Sequence, residues 1–121
     1  MTKRILMVED TEDNRQIIRD VLSHAGYELI EAVTGEEGIQ MAAQHRPDLI
    51  LMDIQLPVLD GYAATRRIKA DPALMHIPII AVTSYALAGD EAKTRAAGCS
   101  GYVAKPFSPR HLLKTVQSFL S

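Results

Sequence analysis

Short apolar runs that stop abruptly at a polar residue recur along this chain, and they limit it to few folds. Ile5-Leu6-Met7-Val8 stops at Glu9 and Asp10, and Leu49-Ile50-Leu51-Met52 stops at Asp53. Ile79-Ile80-Ala81-Val82 stops at Thr83 and Ser84, and Tyr102-Val103-Ala104 stops at Lys105. Runs of this length, apolar at every position, predict strands buried on both faces. Leu29 to Val33 is less apolar and reads as an edge strand. Between the runs the spacing turns helical. Ile17, Ile18, Val21, Leu22 and Ala25 share one face, as do Leu112, Leu113, Val116, Phe119 and Leu120. Residues 36–45, 61–70 and 87–97 are helix-compatible, with Gly26, Gly61, Gly98 and six prolines as punctuation.

Strict alternation of strand and helix predicts an α/β fold, a parallel sheet with helices on both faces. In such a sheet all strand C-termini share one edge, where open α/β folds bind ligands. Glu9, Asp10, Asp53, Thr83 and Lys105 are therefore expected to converge in one cleft.

The chain's 121 residues suit one domain with a real core, and no linker or repeat divides it. The last helix reaches Ser121, so residues 1–121 are expected to form a single domain with no output domain. A net charge of −2 gives no basic footprint for nucleic acid. No apolar run has membrane-spanning length, and Ile5 to Val8 is too short for a signal peptide. Cys99 is the single cysteine, which excludes an internal disulfide and a thiolate metal cluster. The expectation is a soluble cytoplasmic domain with neither a nucleic-acid nor a membrane partner.

Three carboxylates brought together raise one another's pKa and strain the fold unless something neutralises them. Oxygen ligands without His or Cys favour Mg²⁺. Glu9, Asp10 and Asp53 would supply the carboxylates, and the backbone carbonyl of Gln55 could complete the protein's share. A blander explanation makes Glu9 and Asp10 caps for a helix beginning near Thr11. Asp53 weakens it, because a lone acid ending a very apolar strand is costly unless paired or used. A carboxylate beside Mg²⁺ can act as a nucleophile on phosphorus. Of the three equatorial oxygens of a transferred phosphoryl group, the metal can hold one and a lysine ammonium the second. A threonine hydroxyl with a backbone N–H can hold the third. Lys105 and Thr83 are suitable groups at suitable strand ends, although either alone is commonly just exposed. Lys105-Pro106 also allows a cis peptide that would aim the lysine.

Over essentially its whole length the chain resembles the receiver domain of two-component response regulators. The resemblance rests on Val8-Glu9-Asp10, on Asp48 through Pro57 with Asp60-Gly61 after it, on Ile77 through Thr83, and on Gly101 through Phe107. It implies a CheY-like (flavodoxin-like), doubly wound five-stranded parallel sheet in the order 2-1-3-4-5 with five helices. Asp53 would be the phosphoacceptor, taking phosphate from a phosphohistidine on a sensor histidine kinase or a histidine phosphotransfer domain. Glu9, Asp10, Asp53 and the Gln55 carbonyl would bind Mg²⁺. Thr83 would be the switch hydroxyl, Lys105 the phosphate contact, and Tyr102 the aromatic that rotates inward with Thr83. Gln55 and Tyr85 would flank the phosphoryl group.

The stretch Ala86 to Glu91 with Ala96 to Cys99 is similar to stand-alone and phosphorelay receivers. Gly101 before Tyr102, and His111 early in the last helix, depart from the transcription-factor pattern. They put in doubt the symmetric dimer through the face formed by the fourth helix, fifth strand and fifth helix, so a monomer is expected. Output would pass through a separate effector protein.

The protein would be a switch and no enzyme beyond its own phosphorylation and dephosphorylation. An aspartyl-phosphate phosphohydrolase would want a second acid where Gln55 stands. A flavodoxin-like cofactor protein would want a phosphate loop where Glu9-Asp10-Thr11-Glu12-Asp13 would repel phosphate. A receiver that binds partners without phosphorylation is opposed by the intact Asp53, Thr83 and Lys105. His24, His45, His76 and His111 show no metal spacing. Cys99 reads as a buried filler, and Arg66, Arg67 and Lys69 as a solvated helix face.

Overall fold

The computed structural model describes residues 2–84 and 88–120, with the side chains of 88–90 left aside. Among them five strands alternate with five helices: β1 (Arg4–Val8), α1 (Glu12–His24), β2 (Glu28–Ala32), α2 (Gly35–His45), β3 (Leu49–Asp53), α3 (Gly61–Ala70), β4 (Ile79–Thr83), α4 (Ala88–Ala97), β5 (Gly101–Ala104) and α5 (Pro109–Leu120). The strands form one parallel sheet in the order β2-β1-β3-β4-β5. This is the doubly wound, CheY-like arrangement that the resemblance implies.

Every residue of β3 and β4 is buried, as their unbroken apolar runs require. β2 lies at the edge, and its exposed Glu28 and half-buried Glu31 are the reason its pattern is weaker. It ends at Ala32, one residue before the expected limit, because the Val33 N–H leaves the ladder and donates to Glu37 Oε1 at 2.8 Å.

Alternation along each strand divides the core into two layers. Ile5, Met7, Leu49, Leu51, Ile80 and Val82 pack against Ile18 and Leu22 of α1 and Leu112 and Val116 of α5. Leu6, Val8, Ile50, Met52 and Ala81 pack against Ala42 of α2 and Ala64 and Ile68 of α3. α4 lies beside α3 and β5 on that second face.

The helix starts are chemically marked. Asp60 accepts from Ala63 N at 2.8 Å, and Thr34 Oγ1 accepts from Glu37 N at 3.0 Å. Glu37 reaches back to Val33 while Thr34 reaches forward to Glu37, a reciprocal cap of the capping-box kind. Thr34→Ala is expected to cost about 1 kcal/mol of unfolding free energy, measured by urea denaturation with an unchanged m value.

Candidate functional site

The register aligns the strand ends. Val8 pairs with Met52, Asp53 with Val82, and Thr83 with Ala104. Glu9, Asp53, Thr83 and Lys105 therefore emerge at one edge, where Glu9, Asp53 and Thr83 are buried.

Glu9 is held from several directions. Its N–H donates to Ala32 O at 3.0 Å, and its main-chain carbonyl accepts from Arg15 Nη1 at 2.8 Å. Its Oε2 accepts from Thr11 N at 3.1 Å, so the acid does serve the start of α1. Thr11 is the N-cap of α1, but its own side chain makes no cap hydrogen bond. The remaining oxygen, Oε1, is buried and accepts no well-directed hydrogen bond among the described residues. It faces Lys105 Nζ at 2.9 Å.

Asp53 ends β3. Its Oδ1 accepts from Gln55 N at 3.0 Å, and its Oδ2 lies 3.3 Å from the same Lys105 ammonium. Lys105 donates its main-chain N–H to Thr83 O at 2.7 Å, which seats it at the end of β4. The Lys105-Pro106 peptide is cis. Asp10 is exposed at the mouth, and oxygens of Glu9, Asp10 and Asp53 all lie within 4.8 Å of one another.

Burial pushes the Glu9 carboxyl upward, and Asp53 adds to that, while Lys105 and Thr11 N–H pull it down; the net shift is up. For Lys105, burial disfavours the ammonium, but its contacts with Glu9 and Asp53 outweigh burial and raise its pKa. The lysine is thus a firmly charged counter-ion. Three carboxylates against one ammonium still leave two negative charges in a mostly buried site.

Thr83 and Tyr102 occupy adjacent strands. Tyr102 pairs with Ala81, so it faces the same side of the sheet as Thr83. Tyr102 is half-buried and lines a groove with Pro106, Phe107 and His111. Gln55 lies in the loop after β3, and its side-chain Oε1 accepts from Ser84 N at 3.0 Å. Tyr85, Ala86 and Leu87, named from the sequence, lie outside the described residues.

Arg15 was not singled out from the sequence, yet it ties α1 to the acidic corner. With Arg19 it forms a cluster on Glu12 and Glu31, in which Arg19 grips Glu31 with two bonds of 2.8 Å. Those bonds hold the Glu31 carboxyl below the usual carboxylate range despite its partial burial. Arginines one turn apart beside an acid in an edge strand were the available signal.

The basic run on α3 divides. Arg67 pairs with Glu36 at the surface, whereas Lys69 folds back to donate to Met75 O and Ile77 O at 3.0 and 2.6 Å. Cys99 is buried beside Thr65, its Sγ 3.9 Å from Thr65 Oγ1. Among the described residues no histidine joins a group able to hold a metal.

The C-terminal edge of this parallel five-stranded sheet thus carries an acid trio, a bridging lysine and a buried threonine. The family model for the response regulator receiver domain matches residues 5–117, and the chain belongs to that family. The polar-differentiation response regulator DivK of Brucella ovis is 46% identical over 120 residues, covering 99% of this chain and 98% of that protein. A response regulator from Chloroflexus aurantiacus superimposes with a TM-score of 0.95 at 32% identity, covering 99% of this chain and 98% of its own. The receiver domain of a Pseudomonas aeruginosa sensor histidine kinase, described with a magnesium ion in its active-site cleft, superimposes at 0.90 with 40% identity and 98% coverage of both chains. The chain is therefore a DivK-like response regulator receiver. Receivers of this family work with histidine kinases and downstream effectors.

Proposed function

We propose that residues 1–121 form a stand-alone receiver in which Asp53 accepts a phosphoryl group from a phosphohistidine. The observation that carries this reading is the position of Lys105 Nζ, 2.9 Å from Glu9 Oε1 and 3.3 Å from Asp53 Oδ2. An ammonium so placed steadies the Asp53 carboxylate for attack and then stays beside the group that arrives.

In the step itself, an Asp53 carboxylate oxygen forms a bond to phosphorus as the P–N bond to the donor imidazole breaks. The imidazole leaves with the electron pair and takes up a proton from solvent. Phosphoryl transfer requires positioning and charge neutralisation more than covalent help from the protein. Lys105 meets one equatorial oxygen, and the Thr83 hydroxyl with the Ser84 N–H meets another.

The acid cluster fits a divalent cation. Its donors are all oxygen, its excess negative charge is uncompensated, and among the described residues Glu9 Oε1 is buried without a directed donor. Glu9, Asp10 and Asp53 with the Gln55 carbonyl would hold Mg²⁺, which when bound neutralises the carboxylates and the incoming phosphoryl oxygens.

The output is a shift of Thr83 and Tyr102 that alters the surface of β5, α4 and α5, which a separate effector protein reads. The protein's chemistry is limited to its own phosphorylation and dephosphorylation. The reading takes the protein as a monomer in the cytoplasm with no membrane partner, and its small net charge offers no basic footprint for nucleic acid. Among the described residues no helix is long and apolar enough to cross a membrane.

Intact mass after incubation with acetyl phosphate tests the reading. A phosphoryl adduct is expected that requires Mg²⁺ and is absent in Asp53→Asn. No adduct with either acetyl phosphate or a phosphohistidine donor, in folded protein, would overturn it.

A further inference from the structure

Two main-chain N–H groups just past the ends of β3 and β4 are engaged in the resting protein, one of them on the Asp53 carboxylate. Gln55 N donates to Asp53 Oδ1 at 3.0 Å, and Ser84 N donates to the Gln55 side-chain Oε1 at 3.0 Å. The second bond joins two loops. Gln55 lies two residues past the end of β3 and Ser84 one past the end of β4. Because Asp53 pairs with Val82, these loops leave the sheet side by side.

Ser84 is exposed, so water could satisfy its N–H. The glutamine is therefore not filling a buried vacancy. A side chain with three rotatable bonds gives up rotamer freedom to hold a donor that solvent could serve. Chemically, an amide carbonyl oxygen on that N–H is the neutral counterpart of a phosphoryl oxygen.

We propose that the Gln55 side-chain carbonyl masks the Ser84 N–H in the resting state and is displaced by the phosphoryl group. The proposal rests on Asp53 as the phosphoacceptor and concerns how the receiving pocket is kept closed beforehand. One N–H cannot serve both oxygens fully. A phosphoryl oxygen carries charge, and hydrogen bonds to charged acceptors are roughly twice as strong as neutral ones. Phosphorylation therefore wins the donor and releases the amide. Space for it exists, since Gln55 lines an open cleft of about 630 Å³ together with Asp10, Leu56, Pro57, Tyr62 and Lys93. Gln55 and Ser84, joined at rest, would come apart when Asp53 is modified.

The mask lowers the affinity of the resting pocket by the net worth of one neutral hydrogen bond. Removing it should tighten binding of a phosphoryl mimic about threefold to tenfold.

The test is a titration with beryllofluoride in the presence of Mg²⁺, comparing wild type, Gln55→Ala and Gln55→Leu, with urea unfolding as the check on fold. Both variants are expected to bind more tightly by that factor. Gln55→Glu, a charged acceptor of equal length, should bind more weakly than wild type. The Ser84 amide resonance supplies a readout independent of affinity. Without beryllofluoride it should lose hydrogen-bond character in Gln55→Ala, and with beryllofluoride it should coincide in wild type and variant. Equal or weaker binding by both Ala and Leu variants, or an unmoved Ser84 resonance, would overturn the mask. Folded wild-type protein that binds no beryllofluoride would remove the phosphoacceptor reading, and the mask with it.

Discussion

Gly61→Ala is expected to lower the unfolding free energy by about 2–4 kcal/mol and to reduce phosphoryl uptake by Asp53 roughly tenfold or more. A Cβ at Gly61 would stand 2.2 Å from Asp53 O and 2.6 Å from Ile54 Cα. Both neighbours are backbone, so no side chain can rotate away. Gly61 N also donates to Ile54 O at 3.0 Å, which ties the first turn of α3 to the end of β3. Overpacking usually costs about 1–3 kcal/mol, and two rigid backbones in contact belong at or above the top of that range. The gain in helix propensity from glycine to alanine, about 1 kcal/mol, recovers only part. Relief requires α3 or the Asp53-Ile54 peptide to move. Either displacement changes the aim of the Asp53 carboxylate, and small misplacements at a reacting group are costly. Gly35→Ala is the matched control. Its Cβ would meet Leu59 O at 2.5 Å, with no contact to Asp53. Urea denaturation should show both variants destabilised, while acetyl phosphate labelling fails only in Gly61→Ala. Equal labelling of the two would show that the approach of α3 does not set the aim of Asp53.

Gly61 also shows where the sequence stops being informative. By residue pattern alone it is one more punctuating glycine, and the resemblance that includes Asp60-Gly61 marks its place without giving the reason for it. Its importance is the distance between two backbones, which no pattern of residue types records. The strands were legible because burial on both faces keeps polar residues out of β3 and β4 up to their last positions, Asp53 and Thr83. The site was legible for a related reason. A parallel sheet sends every strand end to one edge, so a polar residue that breaks an apolar run reveals its place. The sheet order was not legible from pattern alone, because β1 pairs with both β2 and β3, and chain order does not encode such choices; the family resemblance supplied it. Groups that act through main-chain atoms escaped as well. Arg15 on Glu9 O looks, in sequence, like an ordinary solvated side chain, and for Gln55 the resemblance gave a place beside the phosphoryl group but not the bond to Ser84 N. Lys69 was misjudged for the opposite reason. Its spacing suits an exposed helix face, but two carbonyls of the following loop draw it inward.

Lys105→Met is expected to destabilise the metal-free protein by about 2–3 kcal/mol near neutral pH, and Mg²⁺ should restore part of the loss. Methionine keeps the bulk of the stem and removes the charge, so the effect isolates the ammonium. That ammonium faces Glu9 and Asp53, which are only 1% and 2% exposed. Breaking a buried ion pair by deleting one partner typically costs about 3–5 kcal/mol, because the other charge is left uncompensated. The lower figure applies here because Glu9 has an escape. Burial already raises its pKa, and without Lys105 it rises further, so Glu9 can take up a proton. The sign of the pH dependence follows. A carboxyl whose folded pKa lies above its unfolded value is not penalised below the unfolded pKa, and the fold loses stability as pH rises through the folded pKa. The deficit of Lys105→Met should therefore be largest at about pH 8 and shrink toward about pH 5. Urea unfolding at both pH values, with and without Mg²⁺, measures it. A deficit independent of pH would assign the role of Lys105 to packing. A deficit that shrinks on acidification, and again on adding Mg²⁺, would show the lysine and the cation to be answers to the same excess of buried negative charge.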